Sequence, residues 1–180
     1  DDEPGFYAAV GPITSGAWRS ANLYRQNGDA WELVESFTKP AKLGYTLTEL
    51  AAPPNDCTDV FDRTSTVRVK FFSDIATLEN KTELEILSGT ANAIIIGSEI
   101  VQFTTATPVV GDPGAYDLSG LLRGRRGTEY GTSLHGYYAN DRVVLLDDAV
   151  KFIPNALSDR NAELHYKAVT SGQFLEDQGV

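Results

Sequence analysis

The 180-residue chain has no methionine, one cysteine and two histidines. Each scarcity removes a class of chemistry. Cys57 alone can make neither an internal disulfide nor a cysteine-cluster metal site. With no histidine near it in sequence, it reads as a buried or half-buried filler rather than a nucleophile. His135 and His165 are too few for a histidine-based metal site without carboxylate help. A reading frame needs an initiator, so a chain without methionine reads as a piece of a longer polypeptide. No apolar run approaches the length of a bilayer span, and no basic segment followed by an apolar one opens the chain, so membrane insertion is not expected. Cations are the minority: 15 Lys and Arg against 25 Asp and Glu give a net charge of −10. That balance argues against nucleic acid as a partner, because phosphate contact needs a positive surface. No glycine-rich phosphate loop, nucleophile elbow or HExxH motif occurs, so neither an enzyme nor a cofactor is expected.

What is present is the composition of a globular protein, 42% hydrophobic and 22% charged, in a chain long enough to bury a core. Its pattern is β throughout. Val67, Val69 and Phe71 alternate with Thr66, Arg68 and Lys70, the mark of a half-buried antiparallel strand. Triple isoleucine in Asn92–Phe103 prefers extended backbone, and Gly97-Ser98 reads as a tight hairpin turn within it. Asn27-Gly28 and Gly111-Asp112-Pro113-Gly114 supply two more hairpin turns. Val143 to Leu146 reads as a buried strand. Asn80 to Glu83 can cap a short helix over 83–87 that Gly89 stops, with a strand as the alternative. The fold class predicted is all-β, an antiparallel β-sandwich or barrel-like domain with minor helix. It spans residues 1–172 with a candidate subdivision near 73–83, and 173–180 form a linker or tail.

The stretch Tyr116–Glu129, YDLSGLLRGRRGTE, organises the rest. Arg123, Arg125 and Arg126 alternate with Gly124 and Gly127, where the backbone is expected to turn sharply. Three crowded guanidiniums repel one another unless each finds a planar acceptor. Glu129, Asp112 and Asp117 are the nearest carboxylates in sequence. An internally ion-paired hairpin corner is the first reading, and a surface contact for an anion or ligand is the second. Trp18 and Trp31 read either as core and cross-strand aromatics or, with Tyr130, Tyr137 and Tyr138 of the loop expected over 128–140, as exposed rings for stacking sugars. Asp56, Asp59 and Asp62 share one loop and are the right ligand type for Ca²⁺. Their spacing is not that of an EF-hand, and no metal site is expected.

The segment LSGLLRGRRGTE, preceded by NAIIIGSEIVQF and followed by the strand RVVLLD, resembles the central distal-tail proteins of bacteriophages, prophages and gene transfer agents. DDEPGFYAAV and LYRQNGDAWELV are similar to an upstream part of the same region, so the resemblance runs from about Glu3 to Asp147. Those proteins are known as host-specificity, tail tip or baseplate hub proteins. The resemblance implies a structural and interaction module of a virion, made in the bacterial cytoplasm and involved in assembly and host adsorption. Its implied partners are other tail or baseplate proteins, with a homotrimer as a candidate assembly of the full-length protein, and host surface glycan. A carbohydrate-binding module recognising cell-surface glycans is the alternative function.

Overall fold

The computed structural model describes residues 3–13, 18–53, 58–74, 76–129 and 139–173. Asp56, Cys57, Tyr130, His135, Tyr137, Tyr138 and the tail from 174 lie outside the described residues. Among the described residues the chain is β-rich with one short α-helix, and it divides into two compact units. One is built from both ends of the sequence, Asp1–Pro12, Gly16–Ala41 and Asp148–Val180; the other is Ile13–Ser15 with Lys42–Asp147. Residues 73–83 lie within the second unit.

In the unit of chain ends, β1 (Gly5–Ala8) and β10 (Lys151–Pro154) form an antiparallel ribbon, and β11 (Tyr166–Thr170), β2 (Ala21–Asn27) and β3 (Ala30–Phe37) form a three-stranded sheet in that order. Leu23, Phe37 and Ile153 are buried between them, with Phe6, Trp18 and Tyr166 packed alongside. The expected hairpin at Asn27-Gly28 is present: Asn27 pairs with Ala30, and Gly28 takes a left-handed φ of 60°. Lys151 ties the ribbon to β3 by donating to Glu35 Oε1 and to the Ser36 carbonyl, 2.8 Å each.

The middle unit is a closed barrel. Its strands run in the order β4 (Leu43–Thr46), β5 (Asp62–Phe71), β8 (Ala115–Leu122), β7 (Glu99–Pro108), β6 (Ala93–Ile96) and β9 (Arg142–Leu145), and β9 pairs with β4 to close it. Every pairing is antiparallel, and closure leaves no sheet edge among these strands. Val67, Val69 and Phe71 are fully buried inside, as their alternation predicts. Arg68 and Lys70 point outward to acceptors: Arg68 donates to both Asp117 oxygens at 2.6 and 2.8 Å, and Lys70 donates to Asp112 and to the Pro113 carbonyl. The connection from β5 to β6 crosses past β8 and β7 and carries the helix α1 (Glu83–Ser88). Thr82 caps that helix, and Glu85 returns the bond to the Thr82 N–H at 2.7 Å, which settles the helix-or-strand alternative in favour of helix. Ile86 is its buried residue.

The regular alternation of β7 and β8 is interrupted at Gly120. Phe103 pairs with Leu121 and Thr105 with Ser119, which sets Thr104 opposite Gly120. Both strands change phase there: the core takes Val101 and Phe103 and then Ala106 from β7, and Leu118 and then Leu121 from β8. On the other side of β8, the β5 ladder slips between Asp62, opposite Leu121, and Thr66, opposite Ser119. The extra residues are folded back on Asp62 Oδ1, which accepts the N–H groups of Thr64 and Ser65 at 2.9 Å each and the Thr64 hydroxyl at 2.8 Å. Burial raises the pKa of this carboxyl, but the hydrogen bonds from Ser65 and Thr64 together outweigh burial and hold it at about 2. The bulge lets three strands turn together.

Gly120 has a left-handed φ of 61°, and a Cβ there would stand 2.0 Å from Thr104 Oγ1. Gly120→Ala should therefore lose roughly 1–3 kcal/mol, read as a lower urea midpoint, from the strained backbone and the clash together. In a Thr104→Ala background the loss should shrink without vanishing, because the backbone strain remains. An unchanged midpoint in either background would contradict this account of the bend.

Candidate functional site

The three arginines that follow β8 meet three different fates. Arg123 is fully buried, Arg125 is half-buried and Arg126 is exposed. Arg123 leaves the end of β8 pointing at the first residue of β7. Its Nε and Nη2 donate to the two carboxylate oxygens of Glu99, 2.8 Å each, and its Nη1 donates to the Ala51 carbonyl at 2.9 Å. Glu99 is likewise fully buried, and its Oε1 also accepts the Gly124 N–H at 2.7 Å. The planar fork of the guanidinium thus meets a carboxylate edge-on, the strongest arrangement the two groups can make.

The expected corner is present, with a different partner. Glu129, Asp112 and Asp117 were the nearest carboxylates in sequence, but Arg123 pairs with Glu99. The two aspartates are engaged across the ladder by Lys70 and Arg68. Glu129 is exposed, with its Cα only 3.0 Å from where a Cβ on Gly124 would sit. Glu99 follows the Gly97-Ser98 turn, so the short hairpin delivers a carboxylate to the neighbouring strand's end from 24 residues away in sequence.

Around this pair the backbone is locked. Gly124 and Gly127 take φ values of 58° and 83°, as their placement predicts, and Arg126 takes 56°, a left-handed conformation uncommon for a side chain of its size. Thr128 donates its hydroxyl to the Arg125 carbonyl at 2.7 Å and accepts the Ile100 N–H at 2.9 Å. Arg125 Nε donates to Gln102 Oε1 at 2.9 Å, and Gln102, itself buried, donates to the Ala91 carbonyl at 2.8 Å. Three connections are therefore fastened at one end of the barrel: the chain after β4 through Ala51, the β6–β7 turn through Glu99, and the chain after β8 through its own Arg123 and Gly124. What remains outward is the guanidinium of Arg126.

Of the aromatic residues singled out for glycan stacking, the two that are described, Trp18 and Trp31, have separate partners. Trp18 packs against the buried cluster of the chain-end unit. Trp31 is half-buried on β3 with Lys167 Nζ 4.8 Å from its ring centre. An exposed aromatic that the sequence reading passed over is Tyr7, 74% accessible, whose ring lies 5.3 Å from that of Phe152 at an angle of 60°. The register signals it: Tyr7 faces Phe152 on a two-stranded ribbon covered on one side only. Of the loop carboxylates, Asp59 is exposed and Asp62 is committed to its own bulge. No three metal-ligating side chains converge among the described residues, and no helix among them is long and apolar enough to cross a membrane.

Removing Arg123 leaves the Glu99 carboxylate buried and uncompensated, which typically costs about 3–5 kcal/mol. Arg123→Ala should lower the melting temperature of the isolated chain strongly. Arg126→Ala, on the surface, should stay within about 0.5 kcal/mol of the parent. Similar melting temperatures for the two variants would contradict the division of labour between them.

Comparison with curated proteins gives no match. A family model described as "Rcc01698-like, C-terminal" matches residues 41–144, more than half of the chain. The matched segment runs from just before β4 to the penultimate residue of β9, so it follows the barrel and includes Ala51, Glu99 and Arg123. The chain belongs to the Rcc01698-like C-terminal family.

Proposed function

We propose that this chain is a structural and interaction module of a phage-like tail tip or baseplate hub, and that the end of the barrel closed by Arg123 and Glu99 is its contact face. The observation that supports this most is the fastening of three connections onto one buried ion pair. Contact surfaces gain affinity when they are ordered before the partner arrives, because less conformational entropy is lost on association. The corner holds its backbone in three left-handed residues and displays Arg126 outward, a residue type enriched where protein surfaces meet. The ordered motifs resembling distal-tail proteins support this reading, and those from Asn92 to Glu129 lie within the residues that the family model matches. Its partners in this reading are neighbouring tail or baseplate proteins, and its place is the virion.

A second reading, glycan recognition, draws on the exposed Tyr7 beside Phe152. The two readings separate in one experiment on particles whose parent gene carries either Arg126→Ala or Tyr7→Ala. In the first reading Arg126→Ala lowers the yield of assembled particles or their adsorption while the melting temperature of the isolated domain is unchanged. Loss of adsorption confined to Tyr7→Ala favours the glycan reading. Wild-type assembly and adsorption by both variants would contradict both.

A further inference from the structure

We propose that Asn27 is a site of spontaneous deamidation, a one-way chemical modification that loosens the tip of the β2–β3 hairpin as the protein ages. Asn27 is the only asparagine in the chain followed by glycine. It is exposed, it is the last paired residue of β2, and Gly28 beyond it has φ 60° with nothing within 4 Å of where a Cβ would stand. Gly28 has no side chain to hinder its nitrogen, unlike the residue that follows every other asparagine in the sequence. Because the tip ends the ladder, it opens at a small fraction of the cost of global unfolding, and that opening frees the backbone rotation the attack requires.

The chemistry needs only water. The Gly28 nitrogen attacks Asn27 Cγ, forming the fifth bond of a cyclic imide. The Cγ–Nδ2 bond breaks, and Nδ2 leaves as ammonia with the proton given up by the Gly28 nitrogen. Water then adds its hydroxyl to one imide carbonyl carbon and its proton to the ring nitrogen. Opening at one carbonyl gives aspartate; opening at the other gives isoaspartate, whose main chain is longer by one carbon.

Other asparagines are held in ways Asn27 is not. Asn92 donates to the Glu79 and Phe103 carbonyls, and Asn22 accepts the Ser36 hydroxyl within the sheet. The side chain of Asn27 has one restraint: its Nδ2 donates to Glu32 Oε1 at 2.8 Å, across the hairpin and exposed to water. That bond is also what the modification destroys. An aspartate at 27 cannot donate, and it sets a carboxylate against Glu32 and close to Asp29 in a chain already at −10. Isoaspartate additionally breaks the pairing of residue 27 with Ala30.

The test is incubation of the purified full chain at mildly alkaline pH, followed by peptide mass spectrometry and enzymatic methylation of isoaspartyl groups. Asn27 should convert to acid before any other asparagine, with isoaspartate among the products. Glu32→Ala, which releases the amide, should convert faster than the parent chain. Retention of the Asn27 amide while other asparagines convert would overturn the assignment. A Glu32→Ala rate equal to that of the parent would overturn the role given to the Glu32 bond.

Discussion

A guanidinium and a carboxylate, neither exposing any surface, close one end of the barrel, and the order of that end depends on them. Burying two charges is expensive, and apolar residues of similar volume often fill such a space at equal or lower free energy. What apolar residues cannot do is aim. The Glu99–Arg123 pair reaches a carbonyl after β4, the opening residue of β7 and an amide after β8 through directional hydrogen bonds, so it specifies which connection lies where. The left-handed residues at Gly124, Arg126 and Gly127 follow from the same constraint, since the chain must reverse immediately after its arginine is fixed.

The paired ends of β8 and β5 near Arg123 support this from the other direction. Gly120 and the bulge capped by Asp62 shift the phase of β8 and β5 together, which allows Leu121 to enter the core just before Arg123 is buried. Had the alternation of Tyr116 and Leu118 continued unbroken, position 121 would face outward. Bend and ion pair are thus one device: the glycine supplies the phase change, and the arginine uses it.

Much of the fold was legible because its signals are local. The alternation at Val67–Phe71, the two-residue turn Gly97-Ser98, the Asn27-Gly28 hairpin and the cap at Thr82 each need only a few neighbouring residues to be recognised. The left-handed glycines of the corner were legible for the same reason, as was the need of its crowded arginines for a carboxylate. Its partner was not. Sequence distance pointed to Glu129, Asp112 and Asp117, whereas the closing of the barrel brings Glu99, and no local pattern encodes which strands are neighbours. Pairing of the two chain ends into their own unit is equally non-local. Tyr7 was passed over because the apolar run Phe6–Val10 carries no local sign of which side is covered, and only the ribbon's single covered side shows it.

The central claim, that the buried pair is as firmly held as the barrel core, is tested most directly by native-state hydrogen exchange at the Gly124 amide. That N–H has one acceptor, the Glu99 carboxylate, and no strand partner. If the pair fastens the barrel end, Gly124 exchanges only on global unfolding, with the same protection free energy as amides of the central strand around Val69. Exchange of Gly124 at the rate of an open loop, while Val69 stays protected, would contradict the account.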